Sequence, residues 1–202
     1  MDKTTPQYIP ALGYTCLTAL YDPVIARTTR ERRVKQALIR QAYIAPMHEV
    51  LDLGCGTGTL AVWLKSAVPQ ANVRGLDGDD QMLSRARKKA QRAGVSVQFE
   101  HGLSFGLPYP DSTFDRVLSS LFFHHFTRTD KERTIREVCR VLKPGGQLHV
   151  ADWGKPTSRL MRGLFYAIQM LDGFATTRDN VDGLLPQLFC SEGLQDVTLR
   201  EE

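Results

Sequence analysis

The sequence has no run of the ~18 apolar residues that a membrane span requires, so a spanning helix is not expected. Cysteine is scarce, and Cys16, Cys55, Cys139 and Cys190 are scattered without the paired spacing of a metal site. A disulfide framework is disfavoured on the same ground, and reduced thiols in a cytoplasmic protein are the expectation. The opening Met1-Asp2-Lys3-Thr4-Thr5-Pro6 lacks both the basic and the apolar region of a secretory leader. Charge of one sign is not in excess: a net +4 permits contact with nucleic acid without arguing for it. No repeat, low-complexity tract or interdomain linker interrupts the 202 residues, and 42% apolar with 24% charged content is ordinary for a globular chain. One domain over residues 1–202 follows.

What is present is organised around Glu49-Val50-Leu51-Asp52-Leu53-Gly54-Cys55-Gly56-Thr57-Gly58-Thr59-Leu60. Val50 to Leu53 reads as a buried strand, the glycines as a tight loop, and Leu60 to Lys65 as the start of a helix. Glycine accepts positive φ and lets a ligand approach the backbone, while the helix start adds unpaired N–H groups and a positive dipole end. A dinucleotide fingerprint is G-x-G-x-x-G, but the place of its last glycine is held by Thr59. Asp52, two residues before Gly54, puts a carboxylate at the strand's end, where it repels a pyrophosphate and attracts an ammonium.

In chain order, residues 1–26 are apolar and aromatic (Tyr8, Tyr14, Tyr21 among them) and are expected to pack on the main domain. Thr28 to Glu31 forms a capping-box pattern, and Val34, Ala37, Leu38 and Ala42 follow at helical spacing before Pro46. Arg27, Arg30, Arg32, Arg33, Lys35 and Arg40 make this helix basic, which reads first as a solvated face and second as an RNA or phosphate surface. Further strands are expected at Val73–Leu76, Val95–Glu100, Phe114–Ser120 and Gln147–Trp153. Helices are expected from Gly78 to Gly94 and over Asp130–Leu142. Lys143-Pro144-Gly145-Gly146 reads as a turn. Beyond it come a helix over Thr157–Leu171, a shorter one around Leu184–Phe189, and a sixth strand over Leu194–Arg200. Alternating strands and helices argue for a doubly wound, mostly parallel α/β sheet with helices on both faces.

Motifs now stand in a recognisable order: Val50 to Gly58; Gly75-Leu76-Asp77; Leu107-Pro108-Tyr109-Pro110-Asp111-Ser112-Thr113-Phe114-Asp115; Ser119 to His125; and Val141-Leu142-Lys143-Pro144-Gly145-Gly146. The set resembles the class I S-adenosylmethionine (SAM)-dependent methyltransferases, in the branch of the ubiquinone/menaquinone C-methyltransferases, closely over residues 49–153 and loosely over 28–200. The resemblance implies a Rossmann-like fold divided into a lid (1–45), a SAM-binding core (46–153) and substrate-side helices (154–202). It also implies a last antiparallel strand, for which Glu201 and Glu202 after Arg200 are too few.

The family's roles fall on residues of this chain. Asp52, Gly54, Cys55, Gly56 and Gly58 would form the cofactor loop, and Asp77 followed by Gly78 would receive the ribose hydroxyls. Met82 would cover the adenine. The family's Gly-Asp-Ala after strand three is here Gly102-Leu103-Ser104, so adenine recognition would rest on backbone groups and Ser104. Ser119 and Ser120 would border the methionine part. His124, ahead of His125, is the candidate general base, since imidazole titrates near neutrality; a packed, loop-orienting residue is the alternative. No metal is expected. The implied reaction is methyl transfer to a small, partly apolar acceptor, with S-adenosylhomocysteine as product and a monomer or homodimer as the working form. Nucleic acid is disfavoured, because no Asn-Pro-Pro-Tyr-like motif follows strand four. A tRNA- or rRNA-modifying enzyme and a non-catalytic SAM-binding regulator are the other readings.

Overall fold

Val50, Leu51 and Leu53 are all fully buried, so the strand they share, β1 (Glu49–Leu53), must be covered on both faces. The computed structural model describes residues 31–156 and 174–199, together with Arg162, Gly163 and Tyr166. It places β1 at the centre of a sheet whose other strands are β2 (Asn72–Asp77), β3 (Gln98–His101), β4 (Phe114–Ser120) and β5 (Leu142–Ala151). The strand order is β3-β2-β1-β4-β5 and every pairing is parallel. The order reverses between β1 and β4, and in such sheets a ligand crevice opens there, outside the strands' carboxyl ends.

Helices α1 (Glu31–Gln41), α2 (Thr59–Ala67) and α3 (Asp80–Ala93) contribute Leu38, Leu60, Leu64, Leu83 and Ala86 to one core cluster, which takes Val50 and Leu118 from the sheet. Helix α4 (Arg128–Val141) covers the other face with Val138 and Val141 against Leu51, Leu53 and Val117. Local signals explain the ends. The Asp79 carboxylate accepts the N–H groups of Gln81 and Met82 to start α3, and Gly94 at φ +67° stops it. Two shorter helices, α5 (Phe174–Val181) and α6 (Leu185–Ser191), follow β5; α5 packs on the one-turn 3₁₀ helix Phe123–His125.

The strand and helix expectations for residues 31–151 hold with shifted boundaries. β3 starts at Gln98 rather than Val95. Lys143–Gly146 is not a free turn but a bulge within β5, where the register against β4 jumps from Phe114↔Leu142 to Arg116↔Gln147. The expected sixth strand is overturned as far as Leu199: residues 194–199 join no ladder. Asp196 sits at φ +53°, which breaks the extended run, and Leu194 and Val197 pack as coil against the cluster around Phe123 and Ile135. Helix α5 was not expected. Residues 1–26 and the Thr28 cap, both within the lid expected over 1–45, and most of the Thr157–Leu171 helix lie outside the described residues.

Candidate active site

The glycine loop follows β1 in left-handed conformations, with φ of +70°, +51° and +74° at Gly54, Gly56 and Gly58. Of these three, Gly56 is the one where an added Cβ would meet open space. At Gly58 it would run into Ala86 and Phe99, and at Gly54 into the Phe122 ring. The loop is fixed to the next strand, since the N–H groups of Gly54 and Cys55 both donate to the Leu76 carbonyl.

Asp77 ends β2 beside this loop. Its Oδ2 accepts the Gly56 N–H at 2.7 Å and its Oδ1 accepts the Asp79 N–H at 3.0 Å. Burial raises its pKa, opposed by these N–H groups. Asp52 is 1% exposed and its Oδ2 accepts the Ala61 N–H at 3.0 Å, joining the first turn of α2 to the strand. Burial pushes the Asp52 pKa up to about 7, against the pull of Lys35 and the Ala61 N–H. Cys55 is buried, and its thiol pKa is pushed up by that burial and by Asp52 and Asp77, so it is an inert packing group.

Other expected positions lie around this cleft with different degrees of commitment. Met82 is buried at the start of α3. The Gly78 carbonyl lies 3.1 Å from His101 Nε2, and the Gly102 N–H donates to the Asp77 carbonyl. Leu103 is half-buried. The Ser104 hydroxyl is buried and bonded to Thr134 Oγ1 at 2.8 Å, because residue 104 packs beneath α4. The Ser119 hydroxyl donates to the Leu53 carbonyl at 3.0 Å, tying the ends of β1 and β4.

Past β4, Leu121 adopts φ +55°, a strained conformation for a leucine, and turns the chain over the glycine loop. His124 follows, buried, with Nδ1 2.7 Å from Asp152 Oδ1. Asp152 lies just beyond β5. Its Oδ2 accepts the backbone N–H groups of Phe122 (3.1 Å), Phe123 (2.7 Å) and His124 (3.4 Å), and its Oδ1 accepts that of Trp153 at 2.7 Å. Burial alone would raise its pKa, but the His124 ring, the Trp153 N–H and His125 hold it below the ordinary carboxylate value. The His125 ring lies 4.0 Å from that of His124, centroid to centroid; burial first, then His124, lowers its pKa to about 3. Asp152 was missed in the sequence, although an acidic residue closing a parallel strand is the same signal that singled out Asp77. Among the described residues no group of three His, Cys, Asp or Glu side chains is arranged to hold a metal, and no helix there is long and apolar enough to cross a membrane.

The comparisons with known proteins agree with this geometry. Residues 50–146 match the family model described as a methyltransferase domain. The demethylmenaquinone methyltransferase of Deinococcus radiodurans is 37% identical over 67% of this chain and 55% of its own length. That of Shouchella clausii is 32% identical over 74% of this chain and 72% of its own. Among solved structures, a SAM-dependent methyltransferase from Methanosarcina mazei superposes with a TM-score of 0.58 at 27% identity, covering 66% of each chain. The chain spans about half the length of the first curated relatives it matches, 55%, 53% and 52%. By sequence, by strand order and by the glycine loop with its two strand-ending aspartates, the chain belongs to the class I SAM-dependent methyltransferases, in the branch of the ubiquinone/menaquinone enzymes.

Proposed function

We propose that the chain transfers a methyl group from SAM to a small, partly apolar acceptor, with His124 taking the acceptor's proton. One observation carries this reading: the buried His124 imidazole is held by Asp152 on the turn after β4, at the strand ends that also carry the glycine loop and Asp77. When bound, SAM supplies a methyl group activated on a sulfonium.

The residues present suit that cofactor. Each Asp77 oxygen has one backbone N–H partner, and a carboxylate oxygen has a second lone pair for a ribose hydroxyl. The space over Gly56 admits a ligand against the backbone. Asp52 favours the ammonium end through its field. Gly54, Cys55 and Gly58 shape the loop, Gly78, Met82 and the backbone of Gly102, Leu103 and Ser104 serve the adenosine side, and Ser119 serves the methionine side. On the acceptor side, Trp153 stands edge-on to the His124 ring and Phe122 packs edge-on against Phe126, supplying apolar surface. The relatives are named for demethylmenaquinone, and a hydroxylated ring with an apolar substituent fits this mixture of aromatic surface and base. A monomer or homodimer in the cytoplasm completes the reading.

The test is transfer from methyl-labelled SAM to a panel of hydroxylated aromatic metabolites and isoprenoid quinols, with bulk tRNA and rRNA in parallel. Label is expected in a small ring-bearing acceptor. Label in RNA would overturn the acceptor class, and tight SAM binding with no transfer to any acceptor would leave a regulatory SAM-binding protein instead.

A further inference from the structure

The His124–Asp152 contact says more than that the two residues touch. Asp152 is 2% exposed at its side chain and receives donors only: four backbone N–H groups and His124. A carboxylate that receives five donors and is held below its ordinary pKa is ionised, and an ionised carboxylate can only accept. The atom of His124 facing it at 2.7 Å must therefore carry a hydrogen. Neutral His124 is thus the Nδ1–H tautomer, and its lone pair stands on Nε2, which has no hydrogen-bond partner among the described residues. The backbone contacts also make Asp152 the anchor of the whole Phe122–His124 turn, so ring direction and tautomer are set by one side chain.

We infer that Asp152 is a positioning residue that fixes His124 in the Nδ1–H tautomer and so presents Nε2 as the proton acceptor. The inference rests on the reading of His124 as the base. The proton step balances within these groups. The acceptor's O–H bond breaks, its electron pair stays on the acceptor, and the proton goes to Nε2. The imidazolium is stabilised by the Asp152 carboxylate, which does not itself become protonated, and Nε2 later returns its proton to water. The substrate class follows: a hydroxyl with a proton to give, rather than a tertiary amine or a thioether, which have none.

Four charged or titratable groups bear on His124. Asp152 beyond β5 touches it, and His125 adjoins it on the turn. Lys131 of α4 acts on Asp152, and Asp179 of α5 pairs with Lys131. Of these, Asp152 alone is hydrogen-bonded to the ring.

The experiment is imidazole ¹⁵N–¹H correlation on the cofactor-free full chain carrying ¹⁵N-histidine, with His124 assigned by comparison to His124→Gln. A protonated Nδ1 and a bare Nε2 are expected in the neutral ring of the wild type. In Asp152→Asn, a carboxamide oxygen in the Oδ2 place can keep the N–H groups of Phe122, Phe123 and His124, while the amide N–H₂ in the Oδ1 place donates to Nδ1 and leaves the Trp153 N–H without its acceptor. The tautomer should reverse. SAM affinity by calorimetry should stay within a few fold. A wild-type ring protonated on Nε2, or an even mixture of tautomers, would overturn the inference even if Asp152→Asn failed to fold. An unchanged tautomer in a folded Asp152→Asn would do the same. Failure of the general-base reading would register elsewhere, as an undiminished methyl-transfer rate in His124→Ala while the wild-type ring shows the Nδ1–H tautomer.

Discussion

The ring of Phe122 lies against the open face of Gly54, so close that a Cβ at Gly54 would stand 2.0 Å from a ring carbon. The same residue's backbone N–H donates to Asp152. Phe122 therefore joins the glycine loop to the turn that carries His124. Gly54→Ala introduces both this collision and a non-glycine residue at φ +70°, and is expected to cost about 2–4 kcal/mol. Phe122→Ala removes the collision but not the strain. Urea unfolding of the two single variants and the double variant should give a double-variant loss smaller than the sum of the singles. Strict additivity would mean that the ring moves aside freely.

Asp77→Ala should weaken SAM binding by about 2–3 kcal/mol, the scale of lost hydrogen bonds to a charged group. It also removes the acceptor for the Gly56 N–H, so the loop should loosen as well. Calorimetry on Asp77→Ala and Asp77→Asn separates these effects, since asparagine can still accept from Gly56. Unchanged affinity in both would remove the ribose role. NAD(H) should bind poorly to the wild type, because Asp52 sits where a pyrophosphate would need a neutral or positive neighbour.

His124→Ala should lower the maximal rate about 10²–10⁴-fold with SAM affinity retained. The check is a single-turnover rate on the acceptor that the panel identifies, alongside calorimetry with SAM alone. An undiminished rate would make His124 a residue that only orients its loop.

Much of this site could be read along the chain because its residues are local to strand ends. Asp52 and Asp77 close short apolar runs, and Gly54, Gly56 and Gly58 announce a loop wherever they occur. Asp152 could not be linked to His124 in that way. The two are 28 residues apart, and nothing in local spacing says which carboxylate will meet which imidazole once β4 and β5 pair. For a related reason, Lys131 was not singled out. It lies on the polar helix α4, yet it is fully buried and donates to the Thr176 carbonyl of α5. Leu194–Arg200 has the alternation of a strand, but a ladder also needs a free edge in register, and Asp196 in a left-handed conformation prevents one there.

Asp52 is expected to make both stability and cofactor affinity depend on pH. Its pKa is about 7 in the fold and near the ordinary 3.8 when unfolded, so between these values the folded state holds a proton that the unfolded state has released. Stability therefore falls as pH rises from about 4 to 7, by up to about 4 kcal/mol for this group alone. Asp52→Asn keeps an acceptor for the Ala61 N–H and has no charge to bury. It should be more stable than the wild type at pH 8 and lose that advantage near pH 4, as read from urea midpoints. Cofactor binding should move the other way. A cationic ligand prefers the ionised carboxylate, so wild-type SAM affinity should drop about tenfold per pH unit below 7, while that of Asp52→Asn stays flat. Parallel profiles in the two proteins would show that the ammonium does not feel Asp52.

Lys131 tests how firmly α5 is held over the dyad. Its ammonium is fully buried, donating to the Thr176 carbonyl at 2.7 Å and to Asp179 Oδ2 at 3.3 Å. Burial lowers its pKa, with Asp179 opposing. Removing one partner of such a pair leaves the other charge desolvated, so Lys131→Met is expected to cost about 3–5 kcal/mol, the scale for a broken buried pair. Replacing both, as Lys131→Met with Asp179→Leu, should recover a large part of that loss, because no charge then remains inside. Hydrogen exchange at the α5 amides distinguishes local from global effects. Protection lost in α5 and the Phe123–His125 turn, but kept in β1 and β4, would mean that the pair clamps α5 to the site rather than supporting the whole core. Uniform loss across the sheet would assign Lys131 to general stability and break its link to the position of His124.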